Sequence, residues 1–94
     1  MAIEKGNVVR SAAGRDEGGL FFVLSVQEDF LLLADGKRRR VETPKRKRSK
    51  HVIVERESLS PVTEKIRGND RITNSELRKA IAAYSGGNPN QEGI

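Results

Sequence analysis

Apolar positions gather in the first half of the chain, in short runs separated by glycine and charge. Val8 and Val9 lie within Gly6-Asn7-Val8-Val9-Arg10-Ser11, a strand candidate opened by a glycine. Ala12 to Gly19 places Gly14, Gly18 and Gly19 around Arg15, Asp16 and Glu17 and reads as a loop. Leu20 to Val26, rich in β-branched and aromatic residues, predicts a second strand. Leu20, Phe22, Leu24 and Val26 share one face of it, and Phe21, Val23 and Ser25 the other. A strand that is apolar on both faces needs a covering layer on each side. Gln27-Glu28-Asp29 turns the chain into the strand Phe30 to Ala34. Asp35-Gly36 is a strong hairpin signal, because a type I′ turn takes positive φ at both central positions. Lys37 to Glu42 is therefore the predicted returning strand, stopped by Pro44, which cannot donate to a ladder. Lys45 to Lys50 then reads as a loop and His51-Val52-Ile53-Val54 as the last strand. Short strands at this spacing predict an all-β fold, a small five-stranded antiparallel barrel over residues 1–56.

Beyond Glu55 the pattern changes. Residues 57–72 carry sparse apolar positions (Leu59, Val62, Ile66, Ile72), with Pro61 and a Gly68-Asn69-Asp70 break, and read as a connector with room for one helical turn. Thr73-Asn74-Ser75-Glu76 fits a capping box, in which hydroxyl and carboxylate each satisfy an orphan amide. Leu77, Ala80, Ile81 and Tyr84 then follow at i, i+3, i+4 and i+7, so residues 73–84 predict a single C-terminal helix. A helix this short is not stable alone in water, and its stripe must dock. The expected seat is the Phe21/Val23 face of the barrel or a partner. Residues 85–94, made largely of Gly, Asn, Pro and Gln, predict a disordered tail.

Composition narrows the chemistry. The chain has 94 residues, 35% hydrophobic and 33% charged, enough for one small domain with a modest core. With no Cys and one His, disulfides, thiolate metal sites and imidazole clusters drop out. The apolar runs fall far short of the ~20 residues of a membrane helix. The mixed-charge start Met1-Ala2-Ile3-Glu4-Lys5 has no apolar segment behind it, so no signal peptide is expected, and the protein is expected to be cytoplasmic.

The net charge is +5, and its placement matters more than its size. Between Lys37 and Lys50 stand nine basic residues and one acid, Glu42, a local charge of +8. The rest of the chain holds nine basic and twelve acidic residues, a charge of −3. Charge focused on an otherwise slightly acidic body attracts a polyanion. An anionic membrane surface would call for an amphipathic helix with bulky residues opposite the charge. Val41, Thr43 and Pro44 supply no such stripe, and nucleic acid is the better fit.

The run from Lys5 through Gly6-Asn7-Val8-Val9-Arg10-Ser11-Ala12-Ala13-Gly14-Arg15-Asp16-Glu17-Gly18-Gly19 to Leu24 resembles the KOW motif, with Gly14 as its key glycine. That motif is a strand–loop–strand unit of ribosomal proteins and transcription elongation factors. The Leu33-Ala34-Asp35-Gly36 segment and the basic stretch after it are similar to small bacterial KOW-domain RNA-binding proteins, related to KOW-containing large-subunit ribosomal proteins of archaea and eukaryotes. The resemblance spans about Ile3 to Val54 and implies an SH3-like barrel whose glycine loop approaches rRNA. By that resemblance Ser11, Gly14 and Arg15 become candidate RNA contacts. Relatives often carry lysine beside the second glycine, whereas Glu17 and Gly19 flank Gly18 here, which shifts the expected grip toward Arg15 and the later basic segment. Glycines admit close approach of backbone amides to a phosphate. They equally serve tight turns with positive φ, and both uses remain open for Gly14, Gly18 and Gly19.

Phe21, Phe22, Phe30 and Tyr84 all fall on apolar faces and are expected in the core, so a base-stacking platform is not expected. What remains is Arg and Lys directed at phosphates and 2′-hydroxyls of structured A-form RNA. The expected main contacts are Arg38, Arg39, Arg40, Lys45, Arg46, Lys47, Arg48 and Lys50, with Lys37 and His51 at the ends of the cluster. Arg10, Ser11, Gly14 and Arg15 form the expected secondary surface. The arginines could also stack on bases or grip phosphate bidentately. No nucleophile with its base, no carboxylate pair in an apolar frame and no P-loop is present, so enzyme activity, cofactors and metals are not expected. The leading expectation is a monomeric, non-enzymatic RNA-binding protein on rRNA or the ribosomal particle, with ribosomal proteins as further candidate partners. Two others stand beside it: a protein-interaction module of the translation or transcription machinery, and a DNA-binding accessory protein.

Overall fold

The computed structural model describes residues 3–56 and 61–90. Five strands, β1 (Val8–Ser11), β2 (Leu20–Gln27), β3 (Phe30–Ala34), β4 (Lys45–Arg48) and β5 (Val52–Arg56), are followed by helices α1 (Pro61–Arg67) and α2 (Asn74–Asn90). A single 3₁₀ turn, Ser49–His51, joins β4 to β5. The sheet is antiparallel throughout, in the order β4-β3-β2-β1-β5. Four strands form a meander, and β5 returns to the free edge of β1. Among the described residues no helix is long and apolar enough to cross a membrane.

Both faces of the sheet are covered, as the double-sided apolar pattern of β1 and β2 requires. Val9, Phe21, Val23, Leu31 and Leu33 pack together on one face, rimmed by Ile3, Val52 and Val54. Val8, Phe22 and Ala34 on the other face meet Val62 and Ile66 of α1 and Leu77 of α2. The helix stripe expected to cover Phe21 and Val23 thus covers Leu20, Phe22 and Leu24 instead, with Ala80, Ile81 and Tyr84 around the rim. The Phe21/Val23 face is already packed against Val9, Leu31 and Leu33 of the neighbouring strands, with Val52 and Val54 of β5 at its rim. Leu77 is fully buried, and sealing that side chain contributes roughly 2 kcal/mol. A bulge between Val23 and Ser25 inverts the alternation, so Val26 stands opposite Leu31, on the side opposite to the one its spacing predicts.

The chain between β3 and β4 differs most from expectation. Lys37 to Glu42 is not a strand, and Lys45–Arg48, expected as a loop, is the strand that pairs with β3. The Asp35 carboxylate accepts hydrogen bonds from the amides of Lys37 and Arg39, each 2.9 Å, while the Arg39 carbonyl accepts from Asp35 and Gly36. These local bonds compete with a ladder and close a wide loop in place of the tight turn. Gly36 keeps a positive φ of 79°, and a Cβ there would fall 2.2 Å from the Asn74 carbonyl oxygen, so the loop lies directly on α2. Pro44 stands at the entry to β4, where a missing donor is tolerated.

The fold has two helices, where the sequence predicts one. Pro61 occupies the first position of α1, and Val62 and Ile66, four residues apart, are buried. The Gly68-Asn69-Asp70 break is a Schellman cap: Asn69 takes φ 59°, its amide reaches the Ile66 carbonyl, and the Asp70 amide reaches Lys65. The capping box at α2 forms as expected. The Glu76 amide donates to Thr73 Oγ1 at 3.1 Å, and the Thr73 amide donates to Glu76 Oε1 at 2.8 Å. The backbone of α2 continues to Asn90, past the expected end at Tyr84 and into the segment expected as a disordered tail; the remainder of that segment lies outside the described residues.

Candidate nucleic-acid interface

Strand β4 is Lys-Arg-Lys-Arg at one end of the strand order, and its pairing with β3 decides which cations face outward. Lys45 and Lys47 stand opposite Leu33 and Leu31, which point to the inner core. Arg46 and Arg48 stand opposite Leu32 and Phe30 on the outer face and are exposed. Lys47 is consequently buried. Its ammonium lies 2.7 Å from Asp16 Oδ1 and donates to the Ala13 carbonyl at 2.8 Å. Ser11, also buried, donates its hydroxyl to the same carboxylate oxygen at 2.8 Å. Burial alone would push the Asp16 carboxyl up, but the hydrogen bonds from Lys47 and Ser11 and the charges of Lys47 and Lys45 hold it below the usual carboxylate range. Lys47 and Ser11, expected as RNA contacts, are therefore an internal rivet between β4, β1 and the glycine loop. The physical reason is the need to pair a buried ammonium.

Arg10 is also engaged. Its Nε lies 2.6 Å from Glu55 Oε2 and its Nη1 donates to the Gly18 carbonyl at 3.0 Å, while the Tyr84 hydroxyl lies within 3.4 Å of Glu55 Oε1. The hydrogen bond and charge of Glu55 raise the pKa of Arg10 further. Arg10 joins β1, β5 and the glycine loop and, through Glu55, reaches Tyr84 of α2, while its side chain stays 42% exposed. Within the loop the amides of Glu17, Gly18 and Gly19 donate to the carbonyls of Gly14, Ser11 and Asp16. The glycine-rich half thus serves its own turn rather than a phosphate. Gly14 (φ 87°) and Arg15 remain exposed at the tip, and Arg15 has no ion partner among the described residues.

The loop after β3 presents Lys37, Arg38, Arg39 and Arg40, all exposed. Helix α2 holds it at three points. Arg78 Nη1 donates to the Gly36 carbonyl at 2.8 Å, the Val41 amide donates to Asn74 Oδ1 at 2.7 Å, and Asn74 Nδ2 donates to the Glu42 carboxylate at 3.0 Å. The hydrogen bond from Asn74 is the main cause of the lowered Glu42 pKa. Arg40 approaches Glu42 at 3.7 Å, an exposed pair of little energetic weight. At the far end of β4, Lys50 is exposed, and half-buried His51 offers its carbonyl to the Ala12 amide at 2.8 Å. Of the nine cations from Lys37 to Lys50, only Arg40 and Lys47 meet a carboxylate at ion-pair distance among the described residues. The other seven line one edge of the sheet and its connecting loop.

One aromatic residue belongs to this edge. Phe21 and Phe22 are buried and Tyr84, on α2, packs against the core, as expected, but Phe30 lies outside both cores. The Arg46 guanidinium carbon sits 3.6 Å from the Phe30 ring centroid, and that of Arg48 4.8 Å. Alternation along β3 does separate Phe30 from Leu31 and Leu33. Only the register with β4 reveals that arginines cover the ring. No protein-family model matches the chain, and no curated protein is significantly similar to it.

Proposed function

We propose that this protein is a non-enzymatic, cytoplasmic RNA-binding module that grips phosphates of structured, ribosome-associated RNA through the edge formed by residues 37–50. The observation that carries the proposal is the set of seven cations along one edge that make no ion pair among the described residues, on a body otherwise net acidic. Evenly paired charge would serve solubility, whereas unpaired charge on a loop already fixed by Asp35, Asn74 and Arg78 is preorganised for a polyanion. Within this proposal the sheet is a closed SH3-like barrel. β4 and β5 stand at opposite ends of the strand order yet are joined by only Ser49–His51. A flat sheet would put them roughly 19 Å apart at ~4.8 Å per strand. A 3₁₀ turn rising ~2 Å per residue spans only about 8 Å, which supports strong curling.

Co-sedimentation with ribosomal particles across a salt series tests the proposal. A variant carrying Arg38→Glu, Arg39→Glu and Lys50→Glu, checked for an unchanged circular dichroism spectrum, is run beside the native chain. Salt-sensitive association with a slope of log K against log salt near −4 to −6, reduced by about three in the variant, is expected for five to seven phosphate contacts. RNA duplex should compete better than DNA of the same sequence, because A-form geometry and 2′-hydroxyls are read. Absence from the particles and from RNA at low salt would refute the proposal.

A further inference from the structure

The outer face of the β3–β4 ribbon carries more than charge. Phe30 stands directly opposite Arg48, and Arg46 lies two residues along β4 on the same face, so both guanidinium groups lie over one half-buried ring. None of the three belongs to either apolar core, and neither arginine has a carboxylate partner among the described residues. Glu28 and Asp29, next to Phe30 in sequence, are exposed in the β2–β3 turn and make no ion pair with either arginine. A guanidinium laid on a phenyl ring keeps its outer face and its in-plane donors available. Because the ring and the ladder already hold it, less side-chain freedom is lost when a ligand arrives.

We propose that Phe30, Arg46 and Arg48 form a stacking platform for an unpaired nucleobase, with Lys50 beside it on a flanking phosphate. The inference rests on the RNA-binding reading above and narrows its ligand: the preferred RNA is a stem interrupted by an extruded nucleotide, not an uninterrupted duplex. Two features argue for a base rather than a phosphate alone. A continuous A-form helix shows phosphates and 2′-hydroxyls but no free base face, so a flat platform gains nothing from it. Simple phosphate attraction would be met equally by lysines, whereas the outward side chains at these two positions are planar and held by an aromatic ring. The uncovered edge of the platform is continuous with the unpaired cations of the same strand and loop, so strands flanking an extruded base meet positive charge on either side.

The test uses the full chain and two RNA hairpins that differ only by one extruded adenosine in the stem, with binding followed by fluorescence anisotropy. A third hairpin carries 2-aminopurine at the extruded position to report stacking. The native chain is expected to bind the bulged hairpin roughly tenfold tighter than the continuous one and to change the 2-aminopurine emission. The double variant Arg46→Lys/Arg48→Lys preserves charge. It should bind both hairpins equally, at about the native affinity for the continuous stem and with an unchanged salt slope. Phe30→Leu, outside both cores and checked by its urea midpoint, should lose the same preference. Equal, salt-sensitive native binding to both hairpins, or a preference that survives in the lysine variant, would overturn the platform and leave RNA binding intact. Native binding to neither hairpin at low salt would overturn both.

Discussion

The rivet between Lys47 and Asp16 separates a structural lysine from a ligand-binding one. Their side chains are 8% and 13% exposed and their charged atoms lie 2.7 Å apart. At an effective dielectric of ~20 that separation corresponds to an attraction of roughly 6 kcal/mol. Desolvation of the two ions, several kcal/mol each, consumes most of it, so the intact pair contributes little net stability. Removing one partner is another matter. Lys47→Met leaves the Asp16 carboxylate buried with only the Ser11 hydroxyl on Oδ1, and Oδ2 already has no partner among the described residues. The expected loss is about 3 kcal/mol, the lower end for a broken buried pair because both groups retain slight solvent access. A domain of this size has roughly 5 kcal/mol in total and a urea dependence near 1 kcal/mol per molar. The urea midpoint should therefore fall by roughly 3 M. In the double variant Lys47→Met/Asp16→Asn no buried charge is orphaned, and about 1–2 kcal/mol should return relative to the single variant. The salt slope of RNA binding should not change in Lys47→Met, since that ammonium is not offered to phosphate. A loss under about 1 kcal/mol with a shallower salt slope would refute the argument and return Lys47 to the RNA-contacting set.

Gly36→Ala would put a Cβ 2.2 Å from the Asn74 carbonyl oxygen at a positive φ. A cost of at least about 2 kcal/mol is expected, seen as a fall in Tm of roughly 10 °C together with faster amide exchange from Leu77 to Tyr84. An unchanged Tm would show that the loop does not bear on α2. Thr73→Ala removes the hydroxyl that accepts from the Glu76 amide, and should cost about 1 kcal/mol in urea unfolding with no effect on RNA binding. Asp16, Glu42 and Glu76 all have lowered pKa values; for Glu76 the leading cause is the hydrogen bond from Lys65. Groups depressed in the folded state contribute stability above their unfolded value near ~4 and lose it as pH falls through the folded value. The urea midpoint should thus hold steady from pH 8 to pH 6 and drop below about pH 4, with a smaller drop in Glu76→Gln. A midpoint that rises on acidification would contradict the pairings.

Much of the architecture was legible in the order of residues. The apolar runs mark β1, β2, β3 and β5 to within a residue or two, because each is bounded by glycine or charge and carries β-branched or aromatic side chains. The need for cover on both faces follows from Val8-Val9 and Leu20 to Leu24, and the start of α2 follows from its capping box. Helix α1 was less visible, since Val62 and Ile66 alone make a thin stripe beside Pro61.

The site was legible as a segment and not as a surface. The concentration of charge between Lys37 and Lys50 is a property of the sequence, but its division into riveted, clamped and free cations is not. Lys-Arg-Lys-Arg has no propensity that calls for a strand; β4 exists because β3 offers it an edge to pair with. Once that register is set, the two-residue period of a strand buries Lys47 against Asp16 and lifts Arg46 onto Phe30. The preceding loop is held by Asn74, more than thirty residues further along the chain. Local sequence chooses among backbone conformations a few residues at a time. Which side chains meet, and which charges stay free, depends on pairings between segments far apart in the chain, and only the folded structure decides them.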